Sequence, residues 1–266
     1  MVTAGKILTQ ARDLQRRKAR ARREAFVAEG IRTVEALLAS PLRVRALLAS
    51  PALEASARGV ALAALAAQRG IPVERVGERE FASAADTEAP QGVLAIADAP
   101  QHVLPPPVAP GARYLVLDGV QDPGNVGTLI RTAAALGVTA TVTLPGTVDH
   151  WNAKVVRSAM GALFHHPVLA LSWGEVGAFA AAQGMACWAA DGGGLAVDAV
   201  AATLAPGPVV LVVGNEGAGL SPEVAAGVPN RVAIRMAPGV ESLNVAVAAG
   251  ILLHALRAPS PTPTPR

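Results

Sequence analysis

A run of prolines before the midpoint limits what this chain can fold into more than any other feature. In APQHVLPPPVAPGA, residues 99–112, Pro100, Pro105, Pro106, Pro107 and Pro110 each fix φ and lack a backbone N–H. No helix or central strand can pass through such a segment. It reads as an extended, semi-rigid linker between a front domain, 1–98, and a larger second domain, 113–257. A Pro-rich tail, 258–266, is expected to be disordered.

Both domains read as α/β. In the second, near-continuous apolar runs at 114–120, 139–144, 166–171, 185–190, 208–214 and 231–236 have the character of parallel strands buried on both faces. Helices are expected between and after them, at 125–136, 151–163, 173–183, 221–226 and 242–257. The result is a three-layer α/β domain. In the front domain a helix is expected over 7–29, since Gly and Pro are absent there, with Gly30 as its stop. Strands are expected at 44–50, 71–76 and 92–98, with a helical stretch at 51–69.

Composition and charge exclude several classes. With 52% hydrophobic residues the chain is not intrinsically disordered, and one cysteine, Cys187, cannot make a disulfide scaffold. Much of the hydrophobic fraction is alanine, 57 residues. The longest uncharged stretches, 132–148, 158–174 and 199–215, are interrupted by Gly, Pro or a His pair. None is the ~20-residue apolar run of a spanning helix. The N-terminus has no apolar signal core, so a cytoplasmic protein is expected. Residues 1–110 carry 15 basic and 11 acidic side chains, whereas 111–266 carry 8 and 9. This asymmetry points to a front end that binds a polyanion. On the expected 7–29 helix, Arg12, Arg16, Arg20 and Arg23 fall on one face; Lys154 and Arg157 on the 151–163 helix are further candidates for binding the polyanion. Aromatics are only 3% of the chain, so if the polyanion is a nucleic acid, a stacking platform is not the main means of holding it.

The common enzyme signatures are absent. No G-x-G-x-x-G follows a strand, and there is no Walker A sequence. The five histidines show no metal-ligand spacing, so no metal is expected. His165 and His166 open a strand and point to opposite faces, and Cys187 reads as a small buried hydrophobe. Three segments are unusual. In LDGVQDPGNVGTLIRTAAALG, 117–137, a turn leads into a helix carrying Asn125 and Arg131. In LVVGNEGAGLS, 211–221, an apolar strand runs into a Gly-rich loop bearing Asn215 and Glu216, with Ser221-Pro222 as a helix start. In IRMAPGVESLNVAVAAGILLHAL, 234–256, a strand exits into a Pro-Gly loop and a helix start at which Ser242 is the expected cap, followed by Asn244.

Taken together, these segments resemble the three motifs of the SpoU (TrmH-like) RNA 2′-O-ribose methyltransferases of the SPOUT superfamily. Asn125, Gly127 and Arg131 match the first motif. Gly214, Glu216, Gly219, Leu220 and Ser221 match the second. Met236, Ser242, Leu243, Asn244, Val245 and Ala248 match the third. The stretch 157–168 also resembles the family between its first two motifs. FVAEGIRTVEALLAS, 26–40, is similar to the small α/β RNA-substrate-binding domain found ahead of many members. One departure is Ile234-Arg235-Met236, where the family usually has Ile-Pro-Met.

The resemblance implies a C-terminal α/β trefoil-knotted catalytic domain that pairs as a homodimer. It also implies S-adenosyl-L-methionine (AdoMet) as cofactor, held mainly by main-chain groups around Val213, Gly214, Asn215, Gly219, Ile234, Met236 and Leu243. Arg131 is then the residue that activates the ribose hydroxyl. A guanidinium stays protonated at neutral pH, so its role is read as stabilising developing alkoxide charge and relaying the proton through an RNA phosphate. Asn125 positions ribose or phosphate, Ser242 and Asn244 orient Arg131, and Glu216 supports the loop or the Arg. The expected substrate is 23S rRNA. A tRNA 2′-O-methyltransferase and a non-catalytic RNA-binding or ribosome-assembly protein on the same fold remain alternatives.

Overall fold

The computed structural model describes residues 5–107, 111–203 and 207–256; the expected disordered tail lies outside them. The chain forms two compact units, residues 1–102 with 149–165, and residues 103–148 with 166–266. The first boundary falls within the Pro-rich stretch, which carries neither helix nor strand over 99–107. The second unit does not take all of 113–257, because Asp149–His165 packs within the first.

The first unit opens with α1 (Lys6–Leu14) and α2 (Arg17–Arg23), followed by β1 (Ala25–Glu29), α3 (Ile31–Ala39), β2 (Val44–Ala49), α4 (Ala57–Gln68), β3 (Val73–Arg75), α5 (Glu78–Ala82) and β4 (Val93–Asp98). Its sheet has the order β1-β4-β2-β3, antiparallel except for the β2–β3 pair. The single helix expected over 7–29 is thus three elements. Arg16 is extended (φ −92, ψ 131), and the break is held by Arg20, whose Nη1 donates to the Leu14 and Gln15 carbonyls at 2.9 and 2.8 Å. Those are end-of-helix acceptors that a continuing helix would satisfy with its own N–H groups. Glu24, at φ 47, ends α2. The next five residues are all buried and pair with β4, Phe26 opposite Ala97. A helical reading of AFVAE loses to the hydrogen bonds that β4 needs on its open edge. Gly30 stops no helix; it precedes α3. Within the expected helical stretch 51–69, Pro51–Ala55 is a 3-10 turn and Ser56 caps α4, accepting from Gly59 N–H at 3.1 Å.

The second unit runs β5 (Arg113–Leu117), α6 (Pro123–Ala135) and β6 (Ala140–Thr143). The chain then crosses to the first unit for α7 (Ala153–Ser158). It returns as β7 (Val168–Ala170), α8 (Trp173–Ala182), β8 (Ala186–Ala196), α9 (Val197–Thr203), β9 (Val209–Val213), α10 (Pro222–Gly227), β10 (Asn230–Ala233) and α11 (Val245–Ala255). The six strands form one parallel sheet, β10-β8-β9-β5-β6-β7. Strand β9 is buried throughout. On one face Tyr114, Val116, Val210 and Val212 pack with Trp173 and Val176 of α8 and Val224 of α10. The alternate residues Leu115, Leu117, Leu211 and Val213 are equally buried and point to the face of α6 and α11. Arg113 links those two helices, donating to the carbonyls of Leu136 and Leu253 at 2.6 Å each. The expected three-layer arrangement is present.

Local differences have local causes. Strand β8 outruns its expected end at 190: after pairing with β9 through Ala189 it bulges over Ala190–Gly194, then rejoins β10 at Leu195 and Ala196. Gly194 permits this, since a Cβ there would lie 2.5 Å from the Arg231 carbonyl carbon. His166 is buried and bonds Thr141 at 2.8 Å, while His165 is exposed. Cys187 is half-buried, and burial raises its thiol pKa, consistent with an inert side chain.

Candidate active site

The strand ends converge on one cleft. Parallel sheets bind ligands outside their carboxyl ends, and here a cleft of about 600 Å³ opens beyond β9 and β10. All seven residues expected to bind cofactor line it: Val213, Gly214, Asn215, Gly219, Ile234, Met236 and Leu243. Glu216, Ser242 and Asn244 line it as well.

The Gly-rich loop after β9 is a tight cradle. Asn215 and Gly219 exchange backbone hydrogen bonds at 2.8 and 3.1 Å. The Asn215 side chain fills the turn, its Oδ1 accepting from Gly217 and Ala218 N–H at 2.9 and 2.8 Å, while Nδ2 donates to the Gly119 carbonyl at 2.8 Å. Asp118, buried at the end of β5, accepts Ser221 N–H at 2.6 Å and pins the far end of the loop. Ser221 caps α10 with Pro222 in its first turn, as expected.

A chain of two side-chain amides and one carboxylate joins three segments around the cleft. Asn125 Nδ2 donates to Glu216 Oε1 at 2.9 Å, and Asn244 Nδ2 donates to Asn125 Oδ1 at 2.9 Å. Asn125 is fixed in turn by Asp122, which caps α6 and accepts its N–H at 2.7 Å. The cap of α11 is Asn244, not Ser242: its Oδ1 accepts from Ala246 and Val247 N–H at 2.9 and 3.3 Å. The helix starts at Val245, three residues later than expected, because the Asx cap holds the preceding backbone out of the helix. Glu216 therefore supports the loop through Asn125, and Asn244 serves both the cap and Asn125. Arg131 is exposed on α6 and is not among the residues lining the cleft. Six helical residues rotate it ~240° from Asn125, so the two side chains leave α6 in different directions.

Part of the wall comes from residues outside the three motifs. Ala190, Asp191 and Gly192 of the β8 bulge line the cleft, as do Val232 and Glu241. The signal was the Asp-Gly-Gly-Gly run directly after an apolar strand. Asp118, an acid closing an apolar strand, was a second unread signal. Among the described residues no group of three His, Cys, Asp or Glu side chains is placed to hold a metal.

Of the basic residues expected to contact RNA, one is turned inward and most of the others have partners of their own. Arg20 is 6% exposed and bonds Asp149 Oδ2 through Nε and Nη2 at 2.8 and 2.6 Å, so it is a structural ion pair and not a phosphate contact. Arg12 donates to Ser83 Oγ at 2.8 Å. Arg16 and Arg23 flank Asp13, at 3.5 and 2.8 Å, and the hydrogen bond from Arg23 leads in lowering the Asp13 pKa. Lys154 is exposed, and Arg157 lies 3.1 Å from Asp86.

A parallel sheet covered on both faces, with a glycine cradle and a Glu–Asn–Asn chain of hydrogen bonds at its strand ends, defines a ligand-binding α/β domain. Residues 112–254 match the SpoU rRNA Methylase family, and residues 6–95 match the MRM3-like substrate binding domain; the chain belongs to the SpoU rRNA Methylase family. It is 33% identical, over 92% of its own length and 93% of the relative's, to the 23S rRNA (guanosine(2553)-2′-O)-methyltransferase RlmP of Bacillus subtilis. Among solved structures it resembles the AdoMet-bound rRNA methyltransferase from Sinorhizobium meliloti, with TM-score 0.79 and 31% identity over 95% of this chain and 94% of that one. It also resembles AviRb from Streptomyces viridochromogenes in complex with AdoMet, with TM-score 0.80 and 28% identity over 95% of this chain and 97% of that one.

Proposed function

We propose that this protein transfers the methyl group of AdoMet to a ribose 2′-hydroxyl of ribosomal RNA, with 23S rRNA as the substrate. The observation that carries the reading is the convergence of three separate segments on one cleft, tied together by Asn125, Glu216 and Asn244. A full-length relative acting on 23S rRNA and two AdoMet-bound structural neighbours support it.

The residues present fit the cofactor. Gly214 lies so near Gly219 that a Cβ would meet the Gly219 backbone at 2.5 Å, which leaves main-chain groups as the wall of the cleft. Bound AdoMet supplies an electrophilic sulfonium methyl. The chain's task is to bring the hydroxyl into line and to favour loss of its proton. Val213, Gly214, Asn215, Gly219, Ile234, Met236 and Leu243 hold the cofactor. Asn125 positions the ribose or its phosphate, with its amide direction set by Glu216 and Asn244. Arg131 stands off the cofactor wall, where it meets the RNA, and stabilises charge on the attacking oxygen, whose proton passes to an RNA phosphate oxygen because the guanidinium is itself protonated. Positioning and preorganised charge supply most of the rate.

The trefoil knot and the homodimer belong to the same proposal. Exposed Val240, Leu243, Val247 and Ile251 on and before α11 offer an apolar face for a second copy. The protein works in the cytoplasm; among the described residues no helix is long and apolar enough to cross a membrane. The test is labelled methyl transfer from AdoMet to 23S rRNA, with tRNA as comparator. Arg131→Ala is expected to lower turnover at least about 100-fold with AdoMet affinity unchanged. Near-normal turnover of that variant refutes its role, and preference for tRNA refutes the substrate.

A further inference from the structure

The first unit holds a second cavity, of about 400 Å³, that no role above uses. Three chain segments build it: the β1–α3 junction, the loop before β4, and the turn after α7.

Each segment is held in place by an identifiable contact. Gln91 Oε1 accepts the Ile31 N–H at 2.9 Å. The close approach requires glycine at position 30 (φ +92), where a Cβ would stand 3.2 Å from that oxygen. With Oε1 engaged, the Gln91 NH₂ has a set direction. Glu29, 2% exposed, accepts from Asp86 N–H at 2.7 Å and from the N–H and hydroxyl of Thr87. It braces the loop and has little acceptor capacity left. Arg157 is anchored between Asp86 and Glu29, at 3.1 and 3.9 Å. Arg32 is exposed and has no ion pair among the described residues.

Met160 is the most unusual member. Its φ of 48 lies in the left-handed region, uncommon for a residue other than glycine, yet the residue is 57% exposed. The turn is fixed by Gly161 (φ +87), where a Cβ would come 2.9 Å from Ala36 Cβ. Backbone strain held in place by packing, and presenting an apolar side chain outward, is a mark of a working surface.

We propose that this cavity docks one unstacked nucleotide of the RNA substrate, other than the one methylated. The proposal rests on RNA being the substrate. The volume lies within the range of small-ligand sites and suits a base with its ribose. The Met160 thioether and Ala89 offer apolar contact to a base face. Arg32 offers a guanidinium plane or a phosphate contact, in the manner by which proteins hold splayed-out RNA bases. The Gln91 NH₂ is a directed donor for a base acceptor. A free inorganic anion would use Arg32 and leave Gln91 and Met160 without a task.

The test uses the full-length protein with ¹³C-methyl methionine, whose four methionines include Met160 at this cavity and Met236 at the cofactor cleft. A mixed-sequence single-stranded RNA pentanucleotide is expected to shift the Met160 signal saturably, and inorganic phosphate is not. Ala89→Trp, at an exposed position, fills the cavity without touching the core. It is expected to abolish that shift and raise KM for a 23S rRNA transcript about tenfold, with kcat within about twofold and the AdoMet response of Met236 retained. Arg32→Glu is expected to raise KM in the same way. The proposal is overturned if Met160 does not respond to RNA, if phosphate alone reproduces the shift, or if Ala89→Trp folds and leaves KM unchanged. Methyl transfer with an unresponsive Met160 overturns the docking site alone. Absence of transfer to any RNA overturns the functional reading beneath it.

Discussion

Gly214→Ala isolates the cradle after β9. The added Cβ would lie 2.5 Å from the carbonyl carbon and oxygen of Gly219 and 2.9 Å from the Leu220 nitrogen. Restoring ordinary contact requires the two backbone segments to part by about 0.9 Å. The paired Asn215–Gly219 hydrogen bonds, now 2.8 and 3.1 Å, would stretch to about 3.7–4.0 Å, beyond useful length. Two lost bonds at roughly 1 kcal/mol each, with the wall displaced, cost about 2–3 kcal/mol. AdoMet affinity then falls about 30- to 150-fold. The loop lies outside the buried sheet, so thermal unfolding should move only by a few degrees. Isothermal calorimetry with AdoMet measures the first effect and circular dichroism the second. Gly217→Ala is the control: its Cβ would have Asn215 Oδ1 as nearest neighbour, at 3.7 Å, and its φ is not positive, so binding should not change. A folded Gly214→Ala protein with wild-type AdoMet affinity would refute the reasoning, because the cradle would then not be the cofactor's wall.

Arg20→Ala leaves the largely buried Asp149 without its cation and should destabilise the protein by about 3–5 kcal/mol in urea unfolding, whereas exposed Arg16→Ala should cost at most about 0.5 kcal/mol. Asn244→Ala should lower both stability, by about 1 kcal/mol, and methyl transfer. Asn244→Asp keeps an acceptor for the helix cap but cannot donate to Asn125, so it should recover stability and not turnover; recovery of both would show that the Asn125 contact is dispensable. Burial, only partly opposed by Asp149, lowers the His150 pKa to about 4 from 6.5. The unfolded chain therefore binds the proton more readily than the folded one. The contribution is complete above pH 6.5, declines as pH falls and levels off near pH 4, a loss of roughly 3 kcal/mol. His150→Leu should flatten that decline in urea midpoints taken from pH 4 to 8.

The second unit was legible because a parallel strand covered on both faces shows its burial in every residue, as Val209–Val213 does. The motif residues were legible because each sits at a strand end or helix start, where local chemistry constrains residue type. The first unit was harder. AFVAE suits a helix as well as a strand, and only the open edge of β4 decides. The break after Leu14 involves neither Gly nor Pro; it depends on Arg20 reaching back to two carbonyls, a contact between residues brought together by tertiary structure. The same contact removes Arg20 from the basic surface that the i, i+4 spacing suggested. Asp13 draws Arg16 and Arg23 together, so a count of arginines overstates the charge available to a phosphate. The β8 bulge was hidden because a run of glycines reads as a loop even where it rejoins a neighbouring strand.

The excursion of Asp149–His165 into the first unit has a consequence for synthesis. Phe26 of β1, fully buried, stacks on Trp151 at 4.3 Å and lies 5.8 Å from Phe164, and Arg20 waits for Asp149. A ribosome that has finished residues 1–102 has therefore not yet made the residues that close over β1. At roughly 5–20 residues per second, the nascent first unit stays incomplete for on the order of several seconds, until residue 165 is made. A fragment ending at the prolines would remain in that state permanently, and an exchange of front domains between relatives must carry residues 149–165 along with the front sequence to deliver a closed core.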